Sequence, residues 1–259
     1  MSDVLIAPVG LEYDRVIESV QFVPITKIYL LKDTESENNQ KEPVLLEYTN
    51  KFFNKIYNGW ESFFKKKIEP LETDFTNIDR IINTISQIVL KEIINSKACK
   101  IYINIASATK LFGVISCNIA SFFPRNIIPF YLSTSNYLLP YIIEQKCDIE
   151  EFEEHGLTKG PYNMVQIPVL PHVEINSIAK KILNKLYDAD KNESYDLHQI
   201  TEMLGLQYEK QKDRQKISYW VKRLEEYYFI DDRREKNRHN VQISDKGILF
   251  VKLLRALKK

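Results

Sequence analysis

Between Lys100 and Phe123 the chain runs from an apolar strand, through two hydroxyls and a lysine, into an apolar helix. Ile101, Ile103 and Ile105, with Tyr102 among them, read as a strand buried on both faces, the pattern of a parallel sheet. Leu111, Ile115 and Ile119 then recur at helical spacing in a segment, Leu111 to Phe122, that carries no charge. The turn between them, Ser107-Ala108-Thr109-Lys110, suits an anion docked at a helix N-terminus, where free N–H groups and the helix dipole favour negative charge. The alternative is that Ser107 or Thr109 simply caps a buried helix. A strand, turn and helix of this kind put the turn at the carboxyl edge of an α/β sheet.

The residues around this segment alternate in the same way. Val4 to Val9 reads as a strand ending at Gly10, Tyr13 to Phe22 as a helix and Lys27 to Leu31 as a second strand. Val44 to Lys67, with Phe52, Tyr57 and Trp60, is a long aromatic helix, followed by a short strand at Ile68 to Leu71. Ile78 to Ile94 has helical spacing, and Ile127 to Leu132 and Gln166 to His172 are further strands. Strands alternating with helices predict a doubly wound parallel sheet. Right-handed crossovers bring the loops after Val9 and Ile105 to one sheet edge. The chain has only 7 glycines in 259 residues, below the usual ~7%. Gly10 is therefore read as a tight turn or a close backbone approach. Leu11, Glu12, Tyr13, Asp14 and Arg15 follow it at that edge.

Composition sets the outer limits. The 44% hydrophobic and 27% charged residues argue against disorder over the whole chain. Cys99, Cys117 and Cys147 are an odd set without a close pair, which argues against a disulfide framework or a zinc ribbon. No basic segment leads into an apolar N-terminal core, and Lys110 divides the one stretch that approaches a membrane span. A cytoplasmic protein without membrane contact is expected. The net charge of +1 is unevenly shared, since residues 172–259 hold 19 Lys+Arg and 14 Asp+Glu, leaving 17 and 21 before them. A basic tail on an acidic body (+5 against −4 by those counts) is a pattern of nucleic-acid-binding modules.

We place a domain boundary near Pro171, giving domains 1–171 and 172–259. In the second, Ile178 to Tyr187 and Tyr195 to Leu204 read as amphipathic helices, with Gly205 as the C-cap of the latter. A third helix, about Lys210 to Tyr228, buries Ile217, Trp220, Val221 and Leu224. Arg233 to His239 is a basic turn, Val241 to Ile243 a returning strand, and Ser244 to Gly247 opens a last helix. Together these describe a winged helix-turn-helix. Its expected DNA-contacting residues are Lys212, Arg214, Lys216 and Tyr219, with Lys222 and Arg223 further along the helix and Arg233, Arg234, Arg238 and His239 in the wing.

Three motifs and the winged helix, in that order, carry a resemblance: Gly10-Leu11-Glu12-Tyr13-Asp14, Asn104-Ile105-Ala106-Ser107-Ala108-Thr109-Lys110 and Gly156-Leu157-Thr158-Lys159-Gly160. The chain resembles archaeal regulators that join a CARF domain, the Rossmann-like fold of CRISPR-associated proteins, to a winged helix. The resemblance implies a homodimer, with a cleft for cyclic oligoadenylate or a similar nucleotide as regulatory ligand and no further cofactor. It implies ligand-controlled transcription in CRISPR antiviral defence, with double-stranded DNA as partner and no catalytic or metal residues. It assigns ligand binding to Gly10 through Asp14 and to Ser107 through Lys110. The family has glycine where this chain has Ala108, and a Cβ there is unfavourable if the backbone needs a positive φ.

Other classes remain open. Arg233 or Arg234 with His239 has the spacing of a family RNase motif, although it falls between strand signals instead of on a helix. A CARF domain that cleaves its own ligand would use Lys110 to stabilise charge. The four histidines, His155, His172, His198 and His239, all lie far in sequence from both loops, so no general base is expected there. A Rossmann oxidoreductase lacks its G-x-G-x-x-G fingerprint.

Overall fold

A computed structural model describes residues 3–34, 42–63, 67–138, 149–172, 175–189, 193–235 and 238–256. The chain divides into two compact units, Met1–Val169 and Leu170–Lys259. In the first, β1 (Val4–Val9), α1 (Tyr13–Phe22), β2 (Lys27–Asp33), α2 (Pro43–Phe63), β3 (Lys67–Thr73), α3 (Ile78–Asn95), β4 (Ile101–Asn104), α4 (Lys110–Phe122) and β5 (Ile127–Ser133) alternate. Then come β6 (Asn136–Tyr137), α5 (Ile149–His155), β7 (Thr158–Lys159) and β8 (Asn163–Gln166). The central sheet has the order β3-β2-β1-β4-β5-β8. Its first five strands are parallel and β8 runs antiparallel to β5. This is a Rossmann-like α/β fold.

Every residue of β1 is buried because both faces of the sheet are covered. Val4 and Ile6 pack with Ile81 and Ile85 of α3 and Phe112 of α4. Leu5, Ala7 and Val9 pack on the other face with Val16 of α1 and Phe52 and Ile56 of α2.

Two expected boundaries move. Lys67 opens β3 instead of closing α2, since the whole of Lys67–Thr73 is in register with Lys27–Asp33. The last strand is Asn163–Gln166, upstream of the expected Gln166 to His172. Ile167 N still bonds Pro129 O at 2.8 Å, but Pro168 and Pro171 have no N–H to extend the ladder.

At the amino edge of the sheet, Lys27 Nζ donates to Glu92 Oε1 at 2.7 Å and lies 3.0 Å from Glu69 Oε2. The Tyr29 hydroxyl donates to the same Glu92 oxygen at 2.5 Å. Burial disfavours the Glu92 carboxylate, but the hydrogen bonds from Lys27 and Tyr29 outweigh it and hold the pKa below its ordinary 4.5. A lowered carboxylate pKa contributes stability that is present above the ordinary value and lost as pH falls through the folded one. Glu92→Gln is expected to destabilise this unit by roughly 2 kcal/mol near neutral pH. That is less than the loss on stripping a buried ion of its only partner, because Glu69 remains. Urea unfolding at several pH values checks it, and the gap between variant and parent should narrow on acidification below 4.5.

The second unit contains α6 (Ser177–Asp188), α7 (Leu197–Met203), α8 (Gln211–Glu226), β9 (Ile230–Glu235), β10 (Arg238–Ile243) and α9 (Asp245–Ala256). Its own core includes Ile182, Leu186, Ile200, Ile217, Val221 and Phe229. Three helices, an antiparallel β9–β10 ribbon and a closing helix give the winged-helix arrangement. Helix α7 starts two residues later than the sequence suggests. Tyr195 pairs with Val241 through both backbone bonds (2.8 and 2.9 Å), and Asp196 with Gln199 forms a capping box. Gly205, at φ +70°, closes α7 with Gly205 N on Glu202 O and Leu206 N on Thr201 O.

Candidate functional site

The strand order reverses direction at β1 and β4, so the chain leaves these neighbouring strands toward opposite faces of the sheet. Such a switch point opens a crevice at the carboxyl edge. Here it holds a cavity of about 530 Å³ whose wall includes Gly10, Leu11 and Glu12 after β1 and Ala106 through Thr109 after β4. Asp33 at the end of β2, Phe75 and Thr76 after β3, and Leu45, Leu46 and Thr49 of α2 complete most of the wall. The motifs do not point to these last residues. They too follow the carboxyl ends of strands, or open the helix after one, so the sheet-edge rule applied to β2 and β3 finds them.

The two motif loops are locked to one another. A Cβ on Gly10 would overlap the Ser107 carbonyl oxygen, so the close approach that glycine permits is to the neighbouring loop. Ser107, 2% exposed, donates its hydroxyl to Pro8 O at 2.6 Å. Buried Asn104 accepts from Ala106 N at 2.9 Å and donates to Arg15 O at 3.0 Å. Thr109 is the N-cap of α4, accepting from Phe112 N at 3.2 Å and donating to Phe75 O at 2.6 Å. Both hydroxyls expected to face an anion thus donate to backbone carbonyls. Ala108 borders the cavity without a positive φ; among the described non-glycine residues that conformation occurs at Tyr228. Lys110 is exposed and is not among the residues lining the cavity. The charged residues that line it are Glu12, Asp33 and Glu42.

The Gly156 loop docks on the β1–α1 connection. Gly156 has φ +81°, a Cβ there would overlap Leu11 O, and Leu157 N bonds Leu11 O at 3.0 Å. Thr158 donates to Glu12 Oε2 at 2.5 Å, while Tyr162 donates to Thr158 at 3.2 Å. Burial raises the Glu12 pKa against the opposing effects of Thr158 and Arg15. His155 Nδ1 lies 3.0 Å from Asp14 Oδ2. Burial raises the Asp14 pKa, and His155 opposes the shift. The expectation that no histidine stands near these loops is therefore corrected, since α5 carries His155 back to the first loop. Tyr13 is buried in the core against Phe52 (ring centroids 5.4 Å apart) with Lys55 Nζ over its ring, and it does not line the cavity.

In the second unit, α8 buries Ile217, Val221 and Leu224 and leaves Lys212, Gln215, Lys216, Tyr219 and Lys222 exposed. A groove of about 420 Å³ runs along this helix, lined by Arg214, Gln215, Ser218, Tyr219 and Lys222 with Leu197 and Tyr208. Gln215 and Ser218 carry no charge and so escape a reading based on basic residues. Their spacing of three to four residues from Gln211 and Lys222, off the buried face, is the signal that identifies them. Arg223 is engaged elsewhere, with Nη1 2.9 Å from Glu226 Oε2 and the guanidinium over Tyr227. Backbone pairing sets Arg234 opposite His239 and Arg233 opposite Asn240 in the ribbon. The side chains of Arg233, Arg234, Arg238 and His239 lie outside the described part of the molecule.

Residues 3–137, more than half of the chain, match the family model described as "HFX_2341_N:-like, N-terminal". The chain belongs to that family. The matched HFX_2341_N:-like segment contains β1 through β6, and so both motif loops. No curated protein matches the sequence. Among solved structures, Enterococcus italicus Csm6 bound to cyclic hexa-2'-fluoro-hexa-dAMP is 14% identical, with 88% of this chain and 56% of that one covered at a TM-score of 0.45. Can2 from Sulfobacillus thermosulfidooxidans, in complex with cyclic tetra-adenylate, is 12% identical over 99% of this chain and 68% of that one, with a TM-score of 0.36. MepR, a transcription regulator of the Staphylococcus aureus multidrug efflux pump MepA, is 18% identical over 32% of this chain, with a TM-score of 0.28. The chain spans 58% of MepR's length. Among the described residues, no helix is long and apolar enough to cross a membrane, and no cluster of three or more His, Cys, Asp or Glu is placed to hold a metal.

Proposed function

We propose that this protein is a ligand-responsive transcription regulator. Its first unit senses a cyclic oligoadenylate or a similar nucleotide, and its second binds double-stranded DNA. The observation that carries this reading is the cavity between the β1 and β4 loops, in a chain that also has a winged helix with an exposed polar recognition face. Two copies related by a two-fold axis would set the two cavities toward one symmetric ligand. The exposed apolar residues Ile82, Leu90 and Ile94 of α3 and Val114 and Phe122 of α4 support a dimer through this layer, since large apolar patches on soluble proteins mark interaction sites. Ligand and DNA affinities would then be coupled by a shared free energy that acts equally in both directions. Gel shifts on the protein's own promoter, with and without cyclic tetraadenylate, test this. A ligand-dependent change in affinity is expected. Equal affinity under both conditions removes the switch, and no shift at low salt removes the DNA-binding role.

A second reading has its own observation. Asp14 holds His155 by Nδ1, an arrangement that orients an imidazole as a general base. With Nε2 3.7 Å from Glu154 Oε2 and His155 outside the cavity lining, a ribonucleotide would have to reach beyond the cavity wall to be cleaved there. Appearance of linear products from cyclic tetraadenylate, abolished in His155→Ala, would favour it over the pure regulator.

A further inference from the structure

We propose that the guanidinium of Arg15 is an oxyanion site that takes a phosphate group. The nucleotide reading above supplies the source of that phosphate; the site itself rests on the geometry of Arg15. Its side chain is 3% exposed, with Nη1 3.3 Å from Glu12 Oε1. Nε and Nη2 are buried without an acceptor at full hydrogen-bond distance, the Tyr131 hydroxyl being only a weak partner of the guanidinium. These two N–H groups form the parallel edge of the guanidinium, the fork that grips an oxyanion side-on. A buried cation with two idle donors destabilises the fold, so an unfilled fork of this kind points to an absent acceptor.

The surroundings fit a removable cover. Arg15 Cζ lies 4.9 Å from the Tyr131 ring centroid and 5.5 Å from that of Tyr137. Ring faces attract the cation but give the fork no lone pair in its plane. Tyr137 is 43% exposed and belongs to a strand of two residues, so its ring is the part of this cover that can move aside. Glu12 links this group to the crevice, because it lines the cavity while its carboxylate holds Nη1. The charged wall residues are acidic, and Lys110 is not among the lining residues. Arg15 does not line the cavity either, but it stands directly behind the lining residue Glu12, and it is the cation we assign to a phosphate ligand at this edge. The Tyr131 hydroxyl interacts with the guanidinium and offers a further donor, which suits a phosphate better than a carboxylate with two oxygens.

The test follows the Arg15 Nε–H resonance in the ¹⁵N-labelled full chain, assigned by its loss in Arg15→Lys. Titration with inorganic phosphate is expected to shift this resonance saturably, and malonate to shift it less. Arg15→Lys keeps the charge but loses the fork, and should weaken cyclic tetraadenylate binding by roughly tenfold or more. Tyr137→Ala removes only a surface ring and should leave the fold intact and the phosphate response at least as strong. An Nε–H unmoved by phosphate in both parent and Tyr137→Ala overturns the proposal, as does a malonate response equal to that of phosphate. A shift spread evenly over other arginines, the mark of an adventitious ion only, also overturns it. The two readings fail separately. If phosphate shifts Arg15 while cyclic tetraadenylate does not bind, the nucleotide function falls and the oxyanion site stands. Undiminished cyclic tetraadenylate binding in Arg15→Lys leaves the function standing and removes the site.

Discussion

Gly10→Ala is expected to destabilise the first unit by about 3 kcal/mol or more, at the upper end of overpacking substitutions. The added Cβ would overlap the backbone carbonyl of Ser107, an atom that cannot swing aside as the end of a side chain can. Ser107 is itself held by its hydroxyl on Pro8 O, and Asn104 fixes the same loop to Arg15 O. Relief therefore requires the two loops to separate, which breaks the Ser107 bond and opens the floor of the cavity. Cyclic tetraadenylate binding should fall with stability. Thermal and urea unfolding of the full chain measure the first effect and calorimetric titration the second. Ser107→Ala separates the contributions: it removes one buried hydrogen bond without a clash, and a loss of about 1 kcal/mol is expected. If Gly10→Ala unfolds like the parent, the loops are not locked as described.

The hydrophobic pattern makes much of this frame legible. β1 and α1 coincide with their sequence readings because continuous apolar runs and helical spacing are local signals. The stretch from Asn136 to Val169 gives no such signal, since β6 and β7 are two residues each and exist only through pairing with one another. Tyr195 reads as helix on apolar spacing, yet the ladder to Val241, 46 positions further along the sequence, takes it. At the site, the sequence locates the loops but not the partners of their side chains. A hydroxyl donating to a carbonyl and one facing a ligand look identical in sequence, which is why Ser107 and Thr109 read there as ligand contacts. His155 shows the reverse failure, because 141 residues separate it from Asp14 and only the fold closes that distance.

On DNA, the largest loss is expected from Arg214→Ala combined with Lys222→Ala. Both residues line the groove beside Gln215, Ser218 and Tyr219, and both are exposed on α8, whose buried face holds Ile217, Val221 and Leu224. Under the proposed DNA-binding function this helix would enter the major groove, where arginine reads guanine edges and lysine meets bases or phosphates. Each such interaction is worth about 1–3 kcal/mol, so the pair should lower affinity for the operator by roughly a hundredfold. Discrimination against random DNA should fall with Arg214, while removal of a phosphate-neutralising charge at Lys222 reduces the salt slope by about one unit. Arg223→Ala is the control, because Glu226 already holds that guanidinium and operator affinity should change little. Gln215→Ala tests an uncharged residue of the same groove, and reduced sequence preference at unchanged salt slope is expected if it reads a base. Titrations of labelled operator and random duplexes across a salt series give all four answers. Equal losses in Arg223→Ala and the double variant would place the DNA on a different face of the winged helix.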